Sequence, residues 1–319
     1  MAETTIQNRY IGLARLKLFW ALSRTPHAVL DMATPAFGAL LWLDAFPSLD
    51  IIILGMITVF AGYTAVYAWN DVIDYPTDQK KARIGSLREA DNYLDAVLPR
   101  HPMAQGLLTF REGLLWSAGW SIVAITGAYL LNPVCVLIFL AGCGLEAVYC
   151  LMLTVSPFRT LISGAVKSSG AVAAVFAVDP QPSLLYVAAL FLWLFFWEIG
   201  GQNIPADWAD VEEDRRLRAQ TIPVLLGLKV AAIIVLPCLS LSIILNLVMI
   251  FFSQSGFQAP YAIASLIVGL SLLFPPAVKL FNTKKRCDAM SLFNRASYYP
   301  VTMLGVVVIK ISGLLPGSF

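Results

Sequence analysis

The chain has 319 residues, 58% of them hydrophobic and 13% charged, with a mean hydropathy of +0.74. Soluble domains run at about 45–50% apolar and about 25% charged residues, so this composition excludes an ordinary water-soluble domain and makes the bilayer the solvent. A net charge of +2 gives no argument for nucleic acid, because the Lys and Arg residues cluster in short connections and form no basic face.

A helix that crosses a bilayer needs about 20 mostly apolar residues. Nine such stretches are predicted, at 27–45, 51–69, 112–131, 134–152, 161–179, 183–201, 229–252, 260–280 and 297–315. The N-terminus, with Glu3, Gln7, Asn8 and Arg9, lacks the apolar core and cleavage site of a signal peptide. The connections 71–111, 153–167, 202–229 and 279–295 are rich in Lys and Arg, whereas those near 44–50, 129–134, 179–183 and 253–260 contain none. With Arg9, Arg15, Lys17 and Arg24, this puts all 22 basic residues except Lys310 on one side. That side is expected to be cytoplasmic, with the C-terminus at Phe319 opposite. No connection is long enough for a second folded unit, so residues 1–319 read as one membrane domain. The expected fold is all-α: a polytopic bundle of about nine transmembrane helices. The five cysteines form no CxxC pair, so neither a disulfide nor a zinc site is expected.

In chain order, the first span opens with a polar stripe, Arg24, His27, Asp31 and Thr34. A charge within a span costs at least about 2.5 kcal/mol, so such residues are expected to line a cavity, either to bind a ligand or to neutralise one another. On the second helix Tyr63, Tyr67, Asn70 and Asp74 share a face, and aromatic faces can stabilise a carbocation. That helix runs into Asp71, Asp74 and Asp78, at i, i+3 and i+7. Pro76 is predicted to break the helix before Asp78. Glu146 lies in the fourth span, and Lys167 follows Ser163 by one turn in the fifth. The sixth span brings Glu198, Gln202 and Asn203 and runs into Asp207, Asp210 and Asp214, again at i, i+3 and i+7. Such spacing aligns three carboxylates on one helical face. Each motif follows the second helix of a four-helix unit, which reads as an internal duplication.

Six converging carboxylates repel one another, and divalent cations remove that penalty. Carboxylate oxygens suit Mg²⁺, which shares its shell with waters and phosphates. The economical reading is a diphosphate bridging two Mg²⁺ clusters, with Asp71, Asp74, Asp78, Asp207, Asp210 and Asp214 as ligands. Of these, Asp71, Asp74, Asp207 and Asp210 are the catalytic candidates, and Asn70 and Asn203 would orient phosphate or metal-bound water. A leaving diphosphate also needs positive groups, for which Lys80, Lys81, Arg83, Arg159, Lys167, Arg215 and Arg216 are candidates, with Tyr67 and Arg24 as further substrate contacts.

The segments NDVIDYPTD from Asn70 and DWADVEEDRR from Asp207 resemble the two aspartate motifs of the UbiA superfamily of intramembrane prenyltransferases. Arg100-His101-Pro102-Met103-Ala104-Gln105-Gly106 is similar to that family's RPxxxG segment, and Thr221-Ile222-Pro223-Val224 with Gly227 to the stretch after its second motif. The likeness covers essentially the whole chain. It implies a helical bundle around a central cavity, a cytoplasmic diphosphate cap, a prenyl chain running toward lipid, and Mg²⁺. The implied reaction is transfer of an isoprenyl group from a diphosphate donor to a hydrophobic or aromatic acceptor, as in quinone or prenyl-lipid biosynthesis. Two departures are a long segment between Asp78 and Arg100, and Leu153 where many members carry a diphosphate-gripping Lys. A membrane terpene cyclase would keep both metal motifs without an acceptor. A transporter would give the repeated motif no purpose.

Overall fold

A chain in lipid must satisfy each backbone N–H and C=O internally, which selects helices. The computed structural model describes residues 12–83, 98–252 and 259–313, and all regular structure among them is helical. Seven helical stretches among the described residues are long and apolar enough to cross a bilayer: Leu49–Arg83, Phe110–Leu131, Pro133–Leu151, Arg159–Val178, Leu184–Ala209, Gly227–Phe252 and Ala259–Thr283. The other two expected spans take different forms. The first becomes α2 (Thr25–Asp31) and α3 (Ala33–Leu43), preceded by α1 (Leu13–Leu22). Pro35 has no N–H to offer the Asp31 carbonyl; the Thr34 hydroxyl donates to it instead, at 3.0 Å. The ninth begins earlier than expected, as α15 (Arg286–Ile311). Phe319 lies outside the described residues.

Helix α4 (Leu49–Arg83) is continuous for 35 residues. At 1.5 Å per residue it is about 52 Å long, well beyond the hydrocarbon core of about 30 Å, so its last turns project from the membrane with the first acidic motif. Pro76 does not break it, contrary to the sequence expectation. The proline is exposed, and Gln79 donates to the Tyr75 hydroxyl (2.6 Å) across the proline turn. Next come α5 (Phe110–Leu131), α6 (Pro133–Leu151) and α7 (Arg159–Val178). Helix α5 starts at a capping box, in which Thr109 and Glu112 satisfy each other's backbone N–H.

Helix α8 (Leu184–Trp197) widens into one π turn, Glu198–Asn203, before α9 (Ile204–Ala209). Pro205 withholds the N–H that an α-helix would give to Gly201. Two glycines let the widened turn pack closely: a Cβ on Gly200 would meet Cys238 Cβ at 2.8 Å, and one on Gly201 would meet Ala296 Cβ at 2.9 Å. Such turns concentrate at functional sites. The chain continues through α10 (Val211–Leu217), α11 (Ile222–Leu225), α12 (Gly227–Met249), α13 (Ala259–Leu272) and α14 (Phe274–Thr283) to α15.

The two halves pack differently. Helices α8, α12, α13 and α15 enclose a solid core with Tyr186, Trp193, Trp197, Tyr261 and Tyr299 fully buried. Helices α3, α4, α6 and α7, with the π turn, instead line a cavity of about 810 Å³.

Candidate functional site

The first motif lies on the last turns of α4, with Asp71 and Asp78 buried and Asp74 half-buried. Arg24 sits between α1 and α2 in a left-handed conformation (φ 45°). It donates to Asn70 Oδ1 at 3.1 Å and Asp71 Oδ1 at 3.3 Å. Asn70 in turn donates to Glu146 Oε1 on α6, at 2.5 Å. From the connection before α5, His101, also left-handed (φ 50°), brings Nδ1 to 2.9 Å from Asp78 Oδ2 and 3.4 Å from Asp71 Oδ1. One ligand atom from each of Asp71, Asp78 and His101 fits within a 4.8 Å cluster. Burial alone would lower the His101 pKa, but Asp78 and Asp71 overcome it and raise it to about 9. The imidazolium therefore supplies positive charge to this acidic cluster. Lys81 Nζ adds more, 3.8 Å from Asp78.

The second motif is not carried on one straight helix. Asp207 lies in α9, Asp210 at the break between helices, and Asp214 in α10, so the single-face alignment expected from the spacing does not hold here. Partners position each carboxylate. Arg159 Nη1 is 3.4 Å from Asp207 Oδ1, and its guanidinium stacks 4.0 Å over the Tyr149 ring. Arg100 donates to Asp210 Oδ2 at 2.7 Å and reaches Glu213 at 3.5 Å, while Thr221 donates to Asp214 Oδ2 at 3.2 Å. Burial raises the Asp214 pKa to about 6, against the pull of Lys81. Arg100 and His101 are adjacent, their Cα atoms about 3.8 Å apart, and they bond different motifs. The two acidic clusters thus face each other across one short segment. Asp207 Oδ2 and Asn203 Oδ1 are buried and have no hydrogen-bond donor, an oxygen-rich environment that suits a hard divalent cation.

The model of the UbiA prenyltransferase family matches residues 32–298. The chain belongs to that family. Solved UbiA-family structures share its fold. An apo UbiA homologue from Aeropyrum pernix K1 is 21% identical over 91% of this chain and 98% of its own, with a TM-score of 0.69. A digeranylgeranylglyceryl phosphate synthase is 18% identical over 93% and 98%, at 0.66. A UbiA homologue from Archaeoglobus fulgidus bound to DMAPP and Mg²⁺ is 15% identical over 92% and 99%, at 0.65. No curated protein sequence matches the chain. The family and the apolar helices make this an integral, multi-pass membrane protein.

In this UbiA-family chain the cavity begins at Arg24, Asn70 and Asn203 and descends past Tyr67 and Tyr63. Lys167 lies inside it and away from the aspartates: Nζ contacts Asp31 Oδ2 at 2.5 Å and the Tyr67 hydroxyl at 2.8 Å. Tyr67 also donates to Asp31, at 2.5 Å. The charges of the first span's polar stripe are therefore neutralised from other helices, Asp31 by Lys167 and Arg24 by Asp71. Arg83, Lys80, Arg215 and Arg216 are exposed, whereas Lys81 and Arg159 are buried among the acids. Sequence reasoning missed Arg100, His101 and Glu213 as site residues. Two basic residues in a basic connection look like topology residues, and only their common reach to both motifs distinguishes them.

Proposed function

We propose that the protein transfers an isoprenyl group from an isoprenyl diphosphate to an electron-rich, hydrophobic or aromatic acceptor held in the membrane cavity. The observation that carries this reading is the pair of acidic motifs, held face to face by Arg100 and His101, at the mouth of a long apolar cavity. Mg²⁺ would be held by Asp71, Asp74, Asp78, Asp207, Asp210 and Asp214, an oxygen donor set that suits it. The Mg²⁺-bound relatives from Archaeoglobus fulgidus, with DMAPP and with GPP, support this. Bound metal supplies electrostatic stabilisation of the leaving phosphate oxygens.

The chain's own residues do the rest. Arg24 and Arg159, at the first and second motif, offer charge-assisted hydrogen bonds to the diphosphate, and Lys81 adds a further positive group. Arg159 fills the need left by Leu153. Asn70 and Asn203 orient phosphate or metal-bound water. Below them Tyr67 and Tyr63 line the path of the allylic carbon, where their faces can stabilise developing positive charge away from water. A prenylated quinone precursor or prenyl lipid fits such a product. From the distribution of basic residues we infer that the acidic cap faces the cytoplasm.

The test incubates the purified protein with labelled farnesyl or geranylgeranyl diphosphate and Mg²⁺, with and without a panel of acceptors. A prenylated acceptor is the expected product. Acceptor-independent conversion to a hydrocarbon would replace this reading with a cyclase, and an untouched diphosphate would overturn both.

A further inference from the structure

The wall of the cavity carries a polar group that the diphosphate chemistry does not use. Glu198 opens the π turn, is only 6% exposed, and lines the cavity. Its Oε1 accepts a hydrogen bond from Ser163 Oγ at 2.7 Å, and its Oε2 has no donor at all. Leaving a carboxyl oxygen buried and unsatisfied is costly. The open oxygen is explained if a ligand completes the hydrogen bond.

The charges around Glu198 decide what kind of ligand that is. The cavity's cations are engaged: Lys167 with Asp31 and Tyr67, and Arg24 with Asn70 and Asp71. Glu146, on the same wall, takes its bond from Asn70. Two carboxylates, Glu146 and Glu198, thus line the membrane-embedded cavity beside Lys167, whose charge is already paired with Asp31. An acceptor with its own carboxylate would add another buried anion beside Glu198, which low-dielectric surroundings penalise. A neutral hydroxyl group supplies the missing donor without changing the charge.

We propose that Glu198 Oε2 binds the acceptor through an acceptor hydroxyl, and that the acceptor is a neutral phenol or alcohol bearing no carboxylate. This rests on the transferase reading above. The experiment uses the full chain in lipid nanodiscs with Mg²⁺ and a slowly ionising farnesyl thiodiphosphate. Binding is read by thermal shift for matched probes: 4-hydroxybenzyl alcohol against 4-hydroxybenzoate, 2-naphthol against a hydroxynaphthoate, and a glycerol monoether.

The neutral members should bind on the order of tenfold or more tightly than their carboxylate counterparts, which bring a second buried carboxylate close to Glu198. Glu198→Gln keeps an acceptor for Ser163 but replaces the open oxygen by a donor. It should abolish that preference while leaving the Mg²⁺-dependent stabilisation by the thiodiphosphate intact. The proposal falls if the parent prefers the carboxylate probes, if no neutral probe binds, or if Glu198→Gln keeps the parental preference. Should the variant fail to fold, the parent's preference alone decides. Absence of any stabilisation by thiodiphosphate and Mg²⁺ in the parent would instead sink the transferase reading itself.

Discussion

Asp71, Asp74 and Asp78 ride on one uninterrupted helix, whereas Asp207, Asp210 and Asp214, at the same spacing, straddle a break between two short ones. The first set takes its geometry from the helix itself, whose i, i+3 and i+7 positions lie on one face. The second takes it from bonds made elsewhere in the chain: Arg159 at Asp207, Arg100 at Asp210 and Thr221 at Asp214. Identical spacing therefore encodes a set of ligands and not a backbone. It also follows that the second motif, tied by side chains next to a π turn, depends on the rest of the protein more than the first does.

The largest effect should come from breaking either half. Asp71→Asn or Asp207→Asn is expected to cost on the order of 10²-fold or more in turnover, the size of losing one preorganised electrostatic group. If the two motifs act on one transition state, the double variant falls well short of the product of the single effects. Without Mg²⁺ neither variant should melt above the parent, because relief of carboxylate repulsion is offset by the loss of a partner for Arg24 and His101 at Asp71 and for Arg159 at Asp207. Turnover close to parental in either one would return that motif to the status of a solvated acidic loop.

A smaller effect separates the motifs by their internal cations. In chelator-treated protein His101 is the positive group between Asp71 and Asp78. Its folded pKa of about 9 lies above an unfolded value of about 6.5. The stability it contributes is therefore fully present below about pH 6.5 and is lost as pH rises through about 9. The pKa difference sets a ceiling of about 3 kcal/mol. Melting temperature in EDTA should decline across that window in the parent and stay flatter in His101→Ala. Mg²⁺ should flatten the parent's curve too, because a bound cation takes over the neutralising role. An equal pH dependence in parent and variant would show that the first motif is neutralised by Arg24 and Lys81 instead.

Much of this was legible in the sequence, for identifiable reasons. Hydropathy locates the long helices because lipid leaves no alternative to internal backbone bonding, and the six carboxylates stand out because buried acids need a counter-charge. Of the polar stripe Arg24, His27, Asp31 and Thr34, the first two line the cavity, and the partner of Asp31 is visible only in three dimensions: Lys167, from a helix distant in sequence, reaches it. The break after Asp31 follows from Pro35 and Thr34, a local feature hidden within an apolar run. Arg100 and His101 escaped because their role depends on a left-handed turn at His101 and on a fold that brings both motifs to it. The π turn at Glu198 depends on Gly200 and Gly201 packing against Cys238 and Ala296, contacts between helices that no local pattern encodes.

The smallest predicted effect sharpens the contrast between a motif held by its helix and one held by its neighbours. Pro76 lies inside the first motif and removes one backbone hydrogen bond, yet α4 continues through it, with the Gln79 to Tyr75 bond spanning the proline turn. Because the ring is exposed, Pro76→Ala deletes no core contact, restores an N–H opposite the Val72 carbonyl, and leaves the carboxylates on the same face. Turnover should stay within about twofold of parental, a difference worth well under 1 kcal/mol in the barrier. Melting temperature should hold or rise, with a ceiling of about 3 kcal/mol set by the helix propensities of proline and alanine. If helix continuity positions Asp71 and Asp78, restoring one backbone hydrogen bond changes little. A loss of tenfold or more in turnover, with an unchanged melting temperature, would mean that the missing backbone hydrogen bond at Pro76 sets the distance between Asp71 and Asp78. The first motif would then depend on a backbone irregularity as the second does, and the contrast between them would disappear.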